Sequence, residues 1–202
     1  MIPYFHNLVE NGDGEGSAGS PTGARVFSAD WFTIPQFTVV SYGAVGGFPG
    51  VLSPTVPINH GANFFAGGKA ALSFTYRYIE LPPISSSIDA GAVKYVLSAD
   101  LGGFQSQDDN ARVIAGFYDV NVVTLGITTT IGPVLAADRA DVTGFRHVAS
   151  APAVVPAHAH WVYLEIDLTR VSAVGPYNDG YADNVSLILL PRAALFLPLV
   201  RR

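Results

Sequence analysis

The chain has no cysteine among its 202 residues. That excludes disulfides, thiol nucleophiles, zinc–thiolate sites and iron–sulfur clusters. Charge is scarce as well, with Asp, Glu, Lys and Arg at 13%, about half the ~25% of an ordinary soluble domain. Eleven basic residues stand against sixteen acidic ones, for a net charge of −5. No basic face for nucleic acid follows from so few cations. Long apolar runs are missing too. The longest, Val185 to Val200, is broken by Pro191, Arg192 and Pro198 and falls short of the ~20 residues of a membrane span. Met1 to Asn7 carries neither the basic start nor the apolar stretch of a secretory leader. No window holds a 3.6-residue apolar stripe with a cap, and Val134 to Ala140 is good for one helical turn at most. Phosphate-cradling loops are absent. Ser17 lacks the first glycine of a nucleophile elbow.

What remains is a chain built for strands and turns. Hydrophobic residues make up 49%, with 21 Gly and 14 Pro as punctuation. Its length suits one well-buried domain. Apolar and polar residues alternate with period two, the pattern of half-buried strands. Leu72, Phe74, Tyr76 and Tyr78 share one face, with Ser73, Thr75 and Arg77 on the other. Val93, Tyr95, Leu97, Ala99 and Leu101 form a second stripe; Val162, Leu164, Ile166 and Leu168 form a third. Further strands are expected over Arg112 to Asp119, Phe37 to Tyr42, Thr124 to Ile131 and Tyr181 to Leu190. Weaker signals lie at Tyr4 to Val9, Asn63 to Ala66, Gly144 to Ala149 and Ala194 to Val200. The pattern predicts an all-β, two-sheet antiparallel jelly-roll β-sandwich of roughly 8–11 strands with little or no helix. One domain is expected over residues 1–190, with 191–202 as an apolar tail or last edge strand. Most aromatics are expected in the core because they alternate with polar residues, Trp31 and Phe32 among them. Tyr42, Phe48, Phe104, Tyr177 and Tyr181 lie in or beside loops and are candidates for exposure.

Three groups of residues could carry chemistry. Asn11, Asp13 and Glu15 stand at i, i+2 and i+4, a spacing that can wrap oxygens around a calcium ion. An EF-hand is excluded because Thr22 stands where its bidentate Glu belongs. The plain alternative is a solvated Asx-rich turn. Two polar loops, one with Asp108, Asp109 and Asn110 and the other with Asn178 and Asp179, would make a second ion or sugar-binding cluster if the fold joined them. Tyr177, Tyr181 and Phe104 are the candidates to stack on sugar rings. His158 and His160 share a side of an extended chain and would need a third zinc ligand such as His147. Asp138, Arg139 and Asp141 read as a solvated turn.

Two stretches carry a family resemblance. The first is Asn7-Leu8-Val9-Glu10-Asn11-Gly12-Asp13-Gly14-Glu15; the second is Tyr181-Ala182-Asp183-Asn184-Val185-Ser186-Leu187. Together they resemble the two ends of galactose-binding-domain-like sandwiches, including many carbohydrate-binding modules. That resemblance implies first and last strands lying side by side and sharing a structural calcium, with Asp183 joining Asn11, Asp13 and Glu15. Asn63-Phe64-Phe65-Ala66-Gly67-Gly68 and Tyr177-Asn178-Asp179-Gly180-Tyr181 resemble secreted bacterial proteins of this fold, and the closing Leu195 to Arg202 resembles tails of secreted Chloroflexota proteins. The expectation is a non-catalytic, calcium-stabilised module at the cell surface or outside the cell that binds carbohydrate. The alternatives are a self-assembling structural or adhesive surface protein and a glycan-acting hydrolase, the last needing two carboxylates across a cleft.

Overall fold

A computed structural model describes residues 4–34, 36–171 and 175–192. The expected strand Ala194 to Val200 lies outside them. Eleven strands are described: β1 (Phe32–Ile34), β2 (Thr38–Ser41), β3 (Asn63–Gly68), β4 (Leu72–Glu80), β5 (Val93–Gly103), β6 (Asn110–Tyr118), β7 (Thr124–Ile131), β8 (Gly144–Ala149), β9 (Ala153–Val154), β10 (Trp161–Thr169) and β11 (Asn178–Pro191). Among the described residues, helix is confined to α1 (Ser85–Asp89) and one 3₁₀ turn at Ala137–Arg139. The 3₁₀ turn falls inside the stretch expected to make one turn.

The strands form two antiparallel sheets packed as a jelly-roll sandwich. One sheet has the order β1-β4-β10-β6-β7; the other runs β2-β3-β11-β5-β8, with β9 pairing on β5. Period-two sequence drives the packing. From β5, Val93, Tyr95, Leu97, Ala99 and Leu101 point inward; from β10, Val162, Leu164, Ile166 and Leu168 meet them; β6 adds Ala111, Val113, Ala115 and Phe117. All of these are essentially solvent-free, and each large apolar side chain so buried is worth about 1.5–3 kcal/mol.

The two ends of the described chain do lie side by side. Asn7 bridges Ile188, the Leu8 N–H donates to the Leu187 carbonyl, and the Val185 N–H donates to the Gly12 carbonyl. The Asn7 side chain ties the seam further, donating to the Val185 carbonyl and accepting from the Leu187 N–H at 2.9 Å.

One strand faces the opposite way to expectation. In β4 it is Ser73, Thr75 and Ile79 that are buried, while Tyr78 and Leu72 are exposed and Phe74 and Tyr76 half-buried. Phe32 likewise stands 66% exposed, although Trp31 beside it is buried as expected. The inward hydroxyls explain the inversion. Thr75 donates to the Phe32 carbonyl and Ser73 to the Gly67 carbonyl, so both are satisfied inside.

Six-stranded-sheet aromatics make a second, smaller core. Val40, Tyr42, Phe64, Phe145 and Tyr181 pack together with Phe48, Val56 and Phe104 on the sheet's outer side. The long Gly/Pro-rich connection from β2 to β3 supplies Ala44, Phe48 and Val56 and covers this face.

Candidate functional site

Among the described residues, no such cover lies over the five-stranded sheet. Its outer side carries a continuous row of rings contributed by four strands. Phe32 on β1 stacks on Tyr76 of β4, with centroids 5.4 Å apart and planes 20° from parallel. Tyr76 meets Tyr163 of β10 at 5.4 Å, Tyr163 meets Tyr78 at 5.3 Å, and Tyr78 meets Tyr118 of β6 at 5.8 Å. Strand register sets this row: Phe32 is opposite Tyr76, Tyr78 is opposite Tyr163, and Trp161 is opposite Tyr118. Burial raises the pKa of the Tyr78 and Tyr163 phenols, with neighbouring tyrosines adding to it and Glu165 adding strongly for Tyr163.

Polar groups line the row on one side. The Tyr163 hydroxyl donates to Glu165. Arg112 donates through Nε and Nη2 to one Asp167 oxygen, at 2.9 and 2.7 Å. Burial raises the Glu165 carboxyl pKa above its usual value, opposed by the Tyr163 hydrogen bond and helped by Asp167. Rings with a flanking carboxylate and guanidinium can stack on flat apolar rings and exchange hydrogen bonds with hydroxyls. These residues were not singled out as a site by the sequence. The signal that could have found them was the count of aromatics on one face of Leu72–Glu80, read as core instead.

The expected calcium ligands are placed unequally. Asp183 is fully buried; Oδ2 accepts from the Tyr42 hydroxyl at 2.6 Å and Oδ1 from the Asn184 N–H at 2.7 Å. Burial pushes its pKa up to about 8, and Asp100 and Asp13 nearby push the same way. Asp13 accepts from the Glu15 N–H, and Glu15 accepts from the Asn63 N–H at 2.7 Å. Asn11 is committed elsewhere, its amide donating to the Ala29 carbonyl and accepting from the Gly16 N–H. Asn7, Asn11, Gly12, Asp13, Asn59 and Asn184 line a cavity of about 230 Å³ beside this group. Such oxygen-rich walls suit a hard cation. Among the described residues, however, no three His, Asp or Glu side chains converge as a ligand set. Of the expected ligands, Asn11 and Asp13 line this cavity, whereas Asp183 is bound under Tyr42 and Glu15 to the Asn63 N–H.

The second expected cluster does assemble. Asp109 is fully buried and accepts from the Asp179 N–H at 3.0 Å and from the Val171 N–H at 2.7 Å. Asp108 accepts from the Ala136 N–H, Asn110 donates to the Asp108 carbonyl, and Asn178 donates to the Leu168 carbonyl. Most of these groups are consumed in holding loops together. Asp179 differs: burial and the neighbouring Asp109 raise its pKa, and Tyr181 hydrogen-bonds it only distantly at 3.4 Å. Arg139 is the organiser and not a solvated turn residue. It is buried, and its guanidinium donates to the carbonyls of Gly103, Gln105, Val142 and Gln107.

One expected stacking residue, Tyr181, and one tyrosine expected near the surface, Tyr42, need correction. Tyr181 is 1% exposed, sealed among Phe48, Phe64 and Phe145, and offers no face to a ligand. Tyr42 is buried for the same reason. Tyr177 and Phe104 do share a cavity with Phe48. The three histidines are not brought together: His158 sits by Asp89, His160 by Glu80, and His147 by Asp100 on the other sheet.

No protein-family model matches the sequence, and no curated protein sequence matches it. Solved structures do resemble it in fold. A crystal structure of the enzymatically active domain of bacteriophage CBA120 tailspike protein 4 superposes over 91% of this chain at a TM-score of 0.55 and 14% identity. The chain spans 21% of that tailspike chain. The C-terminal family 22 carbohydrate-binding module of Clostridium thermocellum Xyn10B covers 95% of this chain and 98% of its own, at 13% identity and a TM-score of 0.49. A xylan-binding family 22 domain gives 12% identity and a TM-score of 0.44. At such identities the likeness is one of fold, that of a β-sandwich.

Proposed function

We propose that the protein is a non-catalytic carbohydrate-binding module whose ligand lies along the bare outer face of the five-stranded sheet. The observation that carries this is the unbroken row Phe32, Tyr76, Tyr163, Tyr78 and Tyr118, uncovered by any described segment and flanked by Glu165 and the Arg112–Asp167 pair. An open row without a deep cavity suits an extended polysaccharide better than a single sugar. Affinity electrophoresis through gels cast with xylan, β-glucan, mannan or galactan tests it. At least one polymer should retard the protein, and Tyr76→Ala with Tyr163→Ala should abolish the retardation while the melting midpoint falls little. Free migration through all four would sink the proposal.

Self-assembly is the second reading, favoured by the exposed Tyr78 and by the exposed Phe32 on the short edge strand β1. Sedimentation over a wide concentration range separates the two: a concentration-independent monomer removes it.

Calcium enters as a proposed neutraliser of the buried Asp183 and the half-buried Asp13, with carbonyls and water completing the shell. Secretion to the cell surface or beyond belongs to the same reading, since extended polysaccharides of this kind are met there.

A further inference from the structure

At one end of the sandwich, Phe48, Phe104, Tyr177 and Asp179 enclose, with Thr22 and Gly46, a cavity of about 160 Å³. We propose that this cavity is a cage for a small organic ammonium group, distinct from the polysaccharide face and independent of it.

Three features argue for that ligand. The cavity is well below the ~300–1,000 Å³ typical of drug-sized ligands, so it takes one head group. Three of its six lining residues are aromatic and one is an acid; no lysine, arginine or histidine lines it. Cations are drawn to ring faces, and quaternary ammonium groups are held by cages of this composition. The third feature is electrostatic. Asp179 makes no ion pair among the described residues, and burial and Asp109 both disfavour its charge. A positively charged head group supplies what the site lacks. A sugar would instead draw on several side-chain donors, and among the lining side chains only those of Thr22 and Tyr177 carry one. Tyr177 already attracts a cation from outside the cage: Lys69 Nζ lies 5.2 Å from its ring centre and lines the adjoining cavity.

The cage is built into the backbone. Gly46 and Gly47 have φ of +117° and +93°, which side-chain-bearing residues rarely adopt. A Cβ on Gly47 would come within 2.7 Å of the Phe104 ring, and one on Gly46 within 3.5 Å of Phe48. Phe48 is anchored beneath by Phe64 and Tyr181, both at 6.1 Å. The walls are thus held in place before any ligand arrives, which lowers the cost of binding.

Isothermal titration with choline, its uncharged isostere 3,3-dimethylbutanol, and glucose tests the proposal. Choline should bind at millimolar or better Kd and at least tenfold more tightly than dimethylbutanol. Asp179→Asn, with its fold verified by thermal melting, should weaken choline about tenfold and leave dimethylbutanol unchanged. Phe104→Leu should weaken choline severalfold, and Tyr76→Ala should leave it unaltered, which keeps this site separate from the sheet face. Equal affinity for the two isosteres overturns the proposal, as does tighter binding of glucose or no choline heat up to 50 mM.

Discussion

Two aromatic clusters stand on the two outer faces of one sandwich, and the described segments cover only one of them. On the six-stranded sheet, Tyr42, Phe64, Phe145 and Tyr181 are sealed under the 43–62 connection. On the five-stranded sheet, Phe32, Tyr76, Tyr78, Tyr118 and Tyr163 form a row of similar spacing with nothing described above it. The chemistry of the rings is nearly the same, so composition does not separate the faces. What separates them is a loop. Rings under the loop contribute stability; rings without one present an apolar surface to whatever binds.

That contrast is most sharply broken by trimming one ring on each face. Phe64→Ala removes a fully buried ring that touches Tyr42, Phe145 and Tyr181. It should cost about 3–5 kcal/mol in urea unfolding. Tyr78→Ala, at a residue 42% exposed, should cost less than about 1 kcal/mol yet weaken polysaccharide retardation several-fold. Similar stability losses at the two positions would mean that the bare face is structural.

The covered face also hides a titratable carboxyl, which gives the next effect. Folding raises the Asp183 pKa from its usual 3.8 to about 8 through burial beneath Tyr42. The folded chain therefore holds this proton more tightly than the unfolded one. Its stabilising contribution is complete below about pH 4 and is lost progressively as pH rises through about 8. Urea midpoints should fall across that window, and Asp183→Asn should flatten the slope. A midpoint that rises from pH 5 to 8 in the wild type would refute the burial of this carboxyl.

Calcium sharpens the same point. A cation at Asp13 and Asp183 favours the ionised carboxylate, so added calcium should raise the melting midpoint by several degrees at pH 8 and by little at pH 5. Chelator should reverse the gain, and Asp183→Ala should remove it. Equal midpoints with calcium and with chelator at pH 8 would leave a proton, and not an ion, as the neutraliser.

The sequence announced the sandwich because period-two alternation is a local property. The stripes Val93–Leu101 and Val162–Leu168 sit in the core as read, and the strand Gly144–Ala149 falls where its weak signal placed it. Leu72–Glu80 faces opposite to the expectation for a physical reason. Alternation tells that two faces differ, but not which one is buried. The inward Ser73 and Thr75 are tolerated because backbone carbonyls receive their hydroxyls, Gly67 across the β3–β4 turn for Ser73 and the remote Phe32, 43 residues earlier, for Thr75. The loop cluster was legible in part: Asp109 and Asp179 do meet. Tyr181 was misplaced because the cover over it comes from a connection more than a hundred residues earlier.

The smallest expected effect concerns the polar edge of the bare face. Arg112 holds Asp167 through two nitrogens on a single oxygen, and its side chain is 48% exposed. With Asp167 itself buried, the pair is half-exposed and contributes about 1 kcal/mol. Arg112→Lys keeps the charge but loses the planar fork, so stability should change by no more than about 0.5 kcal/mol. If the pair only braces the sheet, binding is untouched as well. If it meets ligand hydroxyls beside the rings, polysaccharide affinity drops two- to fivefold while the melting curve stays in place. The bare face is a binding surface in its polar margin as well as in its rings only if those two readouts separate.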